Sequence, residues 1–142
     1  GDGWSLSSGL AWTEGEIREA GGAGAQPGNR IPNVAGFSST TTLAYDGDAR
    51  VWFGMQMAPS FSITHQYVGE RSSDVAESFE LPAYNNVDVR LGMVLGDVEL
   101  FAFARNLLDD EQQLNGVLYG PGVEAASLAR GRIAGLGLQV AF

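Results

Sequence analysis

Residues 84–105 read YNNVDVRLGMVLGDVELFAFAR, and their alternation decides the fold. Val87, Val89, Leu91, Met93 and Leu95 fall on one side, with Asp88, Arg90, Gly92 and Val94 on the other. A strand sends successive side chains to opposite faces, so this period of two predicts one apolar and one polar face. Gly96-Asp97 is a short-turn signal. Beyond it Val98, Leu100, Ala102 and Ala104 oppose Glu99, Phe101, Phe103 and Arg105. The stretch reads as an antiparallel hairpin. Arg90 and Glu99 fall at comparable heights on its polar face, where opposite charges on adjacent strands pair.

The same period runs outward in both directions. "WSLSSGLAW" puts Trp4, Leu6, Leu10 and Trp12 against Ser5, Ser7, Gly9 and Ala11, and "STTTLAY" puts Thr41, Leu43 and Tyr45 against Thr40, Thr42 and Ala44. Asp46-Gly47-Asp48 predicts a tight turn. After it "RVWFGMQM" sets Val51, Phe53, Met55 and Met57 opposite Trp52, Gly54 and Gln56, and the parity continues into Phe61 and Ile63 as one long strand. Pro59 inside that strand predicts a bulge or a weakly paired position. The final stretch alternates Ala134, Leu136, Leu138, Val140 and Phe142 against Gly135, Gly137 and Gln139. About six antiparallel strands are expected, and no helical period.

Connections alternate as strictly as side chains do. Residues 46–48 and 96–97 are minimal, whereas roughly 15–35, 69–83 and 108–129 are long, rich in Gly, Ser and acid, and without a regular pattern. All the long connections therefore lie at one end of the sheet. An antiparallel transmembrane β-barrel has this layout, with short periplasmic turns and long extracellular loops.

Composition points the same way. Charged residues are 18% of the chain, below the roughly 25% of soluble domains. The polar face is built mostly of Ser, Thr, Gly, Ala and Gln, whereas a surface made for water carries more charge. No charged residue occupies a central apolar-face position, as expected where a midplane arginine costs about 2–4 kcal/mol. Trp4 and Trp12 share that face eight residues apart and fit the two aromatic edges of an apolar band. The competing reading is a soluble β-sandwich binding module, its apolar faces packed together. A net charge of −9 argues against a nucleic-acid partner. There is no cysteine, and no run of the roughly 18 apolar residues a spanning helix needs.

Beside this reading, the ordered segments "RIPNVAGFSSTTTLAY", "YVGERSSD", "LPAYNNVDVRLG", "FARNLLDDE" and "GLGLQVAF" resemble the C-terminal part of TonB-dependent outer-membrane receptors, over nearly all of the chain. Leu108, Ala35 and Gln112-Gln113 stand where such receptors more often carry Phe, Pro and an aromatic. The resemblance implies a bacterial outer-membrane location and import of scarce solutes such as iron chelates. Implied partners are the bilayer, the remainder of the barrel and its plug, the energy-coupling TonB protein, and the assembly machinery. That machinery would read Ala134, Leu136, Leu138, Val140 and Phe142 as its signal. About six strands do not close a barrel, since even small barrels use at least eight. The chain is thus expected to be part of a larger barrel, without plug or signal peptide, or else to close by self-association as a small structural or passive pore.

Catalytic chemistry is not expected. His65 is the only histidine, which excludes an HExxH zinc site, and it falls on the apolar parity beyond the expected membrane edge. "GGAGAQPG" lacks the strand-then-helix setting of a phosphate loop. The acids of "NLLDDEQ" and "GERSSDVAESFE" read as solvated loop charge rather than cation ligands. No catalytic residue, cofactor or metal ligand is assigned. The candidate residues are Trp52, Gln56, Asp88, Arg90, Glu99 and Arg105 toward a lumen, and Trp4 and Trp12 at the membrane interfaces.

Overall fold

The computed structural model describes residues 3–141. Eleven strands form in chain order: β1 (Trp4–Trp12), β2 (Phe37–Asp46), β3 (Arg50–Trp52), β4 (Met55–Val68), β5 (Arg71–Ser72), β6 (Glu80–Leu81), β7 (Tyr84–Leu95), β8 (Val98–Arg105), β9 (Gln113–Gly120), β10 (Val123–Leu128) and β11 (Ile133–Val140). Six of them make an antiparallel meander in the order β1-β2-β4-β7-β8-β11, with β3 paired to β4. The sheet is open. The outer edges of β1 and β11 have no strand beside them among the described residues.

Cross-strand register carries the alternation across the whole sheet. Trp4 faces Tyr45, Tyr45 faces Phe61, Phe61 faces Leu91, Leu91 faces Ala102, and Ala102 faces Leu136. That row begins at the first residue of β1 and ends inside β11 opposite Ala102, although β7, β8 and β11 themselves end flush at Leu95, Val98 and Val140. At about 3.3 Å per residue and 4.8 Å between strands, the mean offset tilts the strands roughly 30°.

Two expectations about the turns fail for one reason. The reversal lies at Phe53-Gly54, with φ of 54° and 80°, and not at residues 46–48. Both residues take the positive φ that a tight hairpin turn requires, and β3 folds back on the start of β4. Residues 47–49 are instead a bulge, three residues opposite Ala58 and Pro59. Pro59 has no N–H to give the ladder, while its carbonyl accepts from Gly47 N at 2.8 Å. A side chain at Gly47 would press into the proline ring, its Cβ 2.8 Å from Cγ. The extra residue reverses the parity of everything after it in β3. The other turn is as expected: Leu95 pairs Val98 around Gly96, whose φ is 63°.

The connections 13–36, 69–83 and 106–132 all leave from the same end of the sheet, as the alternation predicts. They are not patternless. The second holds the β5–β6 pair, the third the β9–β10 hairpin, and the first a single 3₁₀ turn at Gly22–Gly24.

Candidate functional site: two sheet faces and a loop layer

One face of the sheet is mainly apolar, interrupted by Ser8, Ser39, Thr41, His65 and Asn85 and by Arg50 on β3, and has nothing packed over it among the described residues. Among the described residues the only buried hydrophobic side chains are Ala25 and Leu81, and both lie in or beside the long connections. Leu136 is 86% exposed, Leu6 and Trp12 71% each. A water-soluble sandwich would cover these side chains, because burial of apolar area is what stabilises it. On β1, β2 and β4 aromatic residues gather at both ends of this face, whereas β7, β8 and β11 carry none on it. Trp4 packs on Tyr45 at 4.9 Å between ring centres at the turn end. Trp12 packs on Phe37 at 5.1 Å, and Phe37 on Tyr67 at 5.9 Å, at the loop end. Eight tilted residues separate the two clusters by roughly 22 Å. Between them the face carries no Asp, Glu or Arg in any of the six strands.

The expected assembly-signal residues Ala134, Leu136, Leu138 and Val140 line this face on edge strand β11, opposite Ala104, Ala102, Leu100 and Val98. Phe142 lies outside the described residues. Trp52, read from the sequence as lumen-facing, sits on the apolar face instead, clustered with Arg50, Met57, Pro59 and Met93. The bulge at 47–49 reversed it. His65 also differs from expectation: it lies inside β4, two residues before Tyr67, and bonds Asn85 Oδ1 at 2.9 Å.

Asp88, Arg90, Glu99, Arg105 and Gln56 all take the opposite face. Arg90 donates to Glu99 at 2.6 Å, but not from a comparable height as expected: Arg90 stands opposite Phe103 and Glu99 opposite Val94, so the long arginine side chain reaches down the hairpin to make the pair. Its guanidinium also lies 3.9 Å from the centre of the Phe101 ring, and that of Arg105 lies 5.7 Å from Phe103. Both rings are laid across the glycines of β11. A Cβ on Gly135 would stand 2.8 Å from Phe103 Cζ, and one on Gly137 would collide with Phe101. Each phenyl ring is thus held between bare backbone and an arginine, which explains two phenylalanines on a polar face. A cleft of about 360 Å³ lies over this ladder, lined in part by Ser62, Thr64 and Asp88.

The three connections close over the loop end as a layer, and all the buried polar side chains of the described residues belong to it. Asn106 is the hinge of this layer to the sheet. Its N–H donates to Asp88 Oδ1 at 3.0 Å, and its amide holds both Asp110 N and Asp110 O. Gln112 reaches Asn86 on the polar face at 3.1 Å. The first connection is tied to the second by Arg30, whose N and Nε both donate to Glu77 Oε1 and whose Nη2 donates to Glu80. Asn29 adds a bond to Val75 O at 2.8 Å. These residues were absent from the sequence-derived candidates. The only local sign is Asn106 before Leu-Leu-Asp-Asp, a turn-forming residue.

Arg71 is the outlier of the layer. It is 6% exposed, donates Nη2 to Gln113 O at 2.5 Å, and rests 5.2 Å from the Tyr84 ring centre. Its Nε and the Oγ of Ser73 are buried without a partner. No carboxylate lies within ion-pair distance among the described residues. A buried charge so placed costs several kcal/mol.

The acids of the second connection, Glu77 and Asp74, respond to pH. The Arg30 N–H and guanidinium hold Glu77 below its ordinary 4.5. Partial burial pushes Asp74 up, but the N–H groups of Ser78 and Ala76 outweigh it and leave it below 3.8. A carboxylate with a lowered folded pKa contributes stability above its unfolded value and loses it as pH falls through the folded one. Its hydrogen bonds to Glu80 and Glu77 push Arg30 up from its ordinary value, so its own titration lies far above this window. The expected outcome is that hydrogen exchange at the Arg30 amide, corrected for intrinsic rate, accelerates as pH falls through the lowered carboxylate pKa values while the β4–β7 amides stay protected. An Arg30 amide that stays unchanged down to the pH at which the β4–β7 amides lose protection contradicts this.

No three His, Asp or Glu side chains converge as metal ligands among the described residues. The chain matches no family model, no curated protein and no solved structure.

Proposed function

We propose that this chain is a wall segment of an outer-membrane β-barrel, the C-terminal part of a TonB-dependent receptor that imports scarce solutes such as iron chelates. The observation that carries the reading is the uncovered, mainly apolar face that spans six strands, with aromatic clusters at its two ends on β1, β2 and β4 roughly 22 Å apart, close to the apolar band of about 25 Å on bacterial barrels. On this reading Trp4 and Trp12 sit at the two interfaces. Gln56, Asp88, Arg90, Glu99 and Arg105 face the lumen, and the loop layer caps its outer mouth. The remainder of the barrel and its plug would pair with the open edges, since hydrocarbon tolerates no unpaired strand edge. TonB would deliver energy through regions outside this chain, and β11 with Phe142 would present the assembly signal.

Cysteine labelling tests the wall. In vesicles, cysteines replacing Ser62 and Thr64 are expected to react with a charged thiol reagent, and those replacing Val89 and Leu91 to stay unreacted. Reactive 89 and 91 would refute the face assignment. A second reading, a ring of copies forming a passive pore, is favoured by one observation: β1 and β11 run in opposite directions, and among the described residues both outer edges are without a strand partner. Intact mass separates the two. A polypeptide ending in GLGLQVAF and several times heavier than 15.0 kDa supports the receptor, whereas one near 15.0 kDa supports the ring.

A further inference from the structure

We propose that Arg71 and Ser73 hold a small monovalent anion, the size of chloride, inside the loop layer. Arg71 opens the two-residue strand β5 and Ser73 stands just past its end, at the start of a bend, where Ser73 N still continues the β5–β6 ladder by donating to Phe79 O at 3.1 Å. Residues so spaced share a face. Ser72 between them turns its hydroxyl away, to Asp74 O at 2.6 Å. The two unpartnered atoms, Arg71 Nε and Ser73 Oγ, therefore belong to neighbouring side chains on one side of the segment. Both residues are more than nine-tenths buried, at 6% and 5% exposure.

The ligand is negative because its hosts are donors and one is a cation. An arginine cannot shed its charge, and it accepts no hydrogen bonds. Gln113 O and the Tyr84 ring face are neutral, so they leave that charge without a counter-ion. Of the acids nearest in sequence to the pair, Glu70 is exposed and makes no ion pair with Arg71, Asp74 accepts from Ala76 N and Ser78 N, and Glu77 and Glu80 are bound by Arg30. A water molecule could satisfy both hydrogen bonds but not the charge. The ligand is small because neither host opens to solvent. Such an anion would join the second connection, which carries Arg71, to the third, which Arg71 grips at Gln113. Occupancy would therefore set how rigidly the two move together, whichever solvent meets the apolar face.

The test compares the full chain, folded in detergent micelles, in potassium chloride and in potassium gluconate at equal ionic strength. Exchange protection of the Ser73 amide is expected to rise about tenfold once chloride reaches about ten times its dissociation constant. Crystals grown in bromide should show an anomalous peak between Arg71 Nε and Ser73 Oγ. Ser73→Ala should weaken the chloride dependence with the fold intact, and Arg71→Met should abolish it. Equal protection in both salts, or chloride dependence unchanged in Ser73→Ala, overturns the proposal. So does a bromide-free density that refines as water. Should Arg71→Met fail to fold, the serine variant and the bromide peak decide alone.

Discussion

Leu136→Arg should cost the chain about 2–4 kcal/mol when it is folded into phospholipid vesicles and unfolded with guanidinium, the penalty of a charge near the bilayer midplane. The number discriminates because Leu136 is 86% exposed. In water, an exposed leucine on a strand edge can be replaced within about 0.5 kcal/mol, and an added charge even helps solubility. In lipid the same exposure is contact with hydrocarbon. Leu91→Arg, on central strand β7, should cost a similar amount, which removes the objection that β11 is an edge. Thr40→Arg supplies the control: it is exposed on the opposite face, where the cost should stay near zero. If all three substitutions prove neutral, the apolar face does not meet lipid, and the barrel reading falls with it.

How much of this was legible in the sequence follows from what period two can encode. Residues 84–105 contain no Pro and only one turn signal, so parity ran unbroken and every face assignment in β7 and β8 agrees with the register. Residues 46–63 contain Pro59 and two turn signals. The sequence shows that the proline must disturb the ladder but not on which strand the compensating residue is inserted. That residue entered at 47–49, so Arg50 and Trp52 changed face while Gln56, beyond the Phe53-Gly54 turn, kept its own. The loop layer was illegible for a different reason. Its structure rests on contacts between residues far apart in the chain, such as Arg30 with Glu77 and Arg71 with Gln113. No local period announces them. The candidate polar face lay between these cases. Arg90 with Glu99 could be read from two strands and a turn, but the seating of Phe101 on Gly137 required the register of a third strand.

That seating gives the second large effect. Gly137→Val should destabilise the chain by about 1–3 kcal/mol, because a branched side chain there occupies the space of the Phe101 ring and an overpacked site must shift its neighbours. The damage should pass along the ladder. Displacing Phe101 removes the surface on which the Arg90 guanidinium lies at 3.9 Å, a contact worth about 0.5–1 kcal/mol where exposed, and leaves Arg90 held by Glu99 alone. Gly9, by contrast, has nothing within 4 Å of its notional Cβ, so Gly9→Val should be nearly neutral or, by raising strand preference, mildly stabilising. The decisive measurement is the double-mutant cycle with Phe101→Ala. Removing the ring should make Gly137→Val tolerable, giving a coupling of about 1–2 kcal/mol between two residues that face each other across β8 and β11. Additive effects would mean that the glycine serves the backbone of β11 and not the ring. In that case the ladder of Phe101, Phe103 and their arginines would be four separate side chains and not one structure.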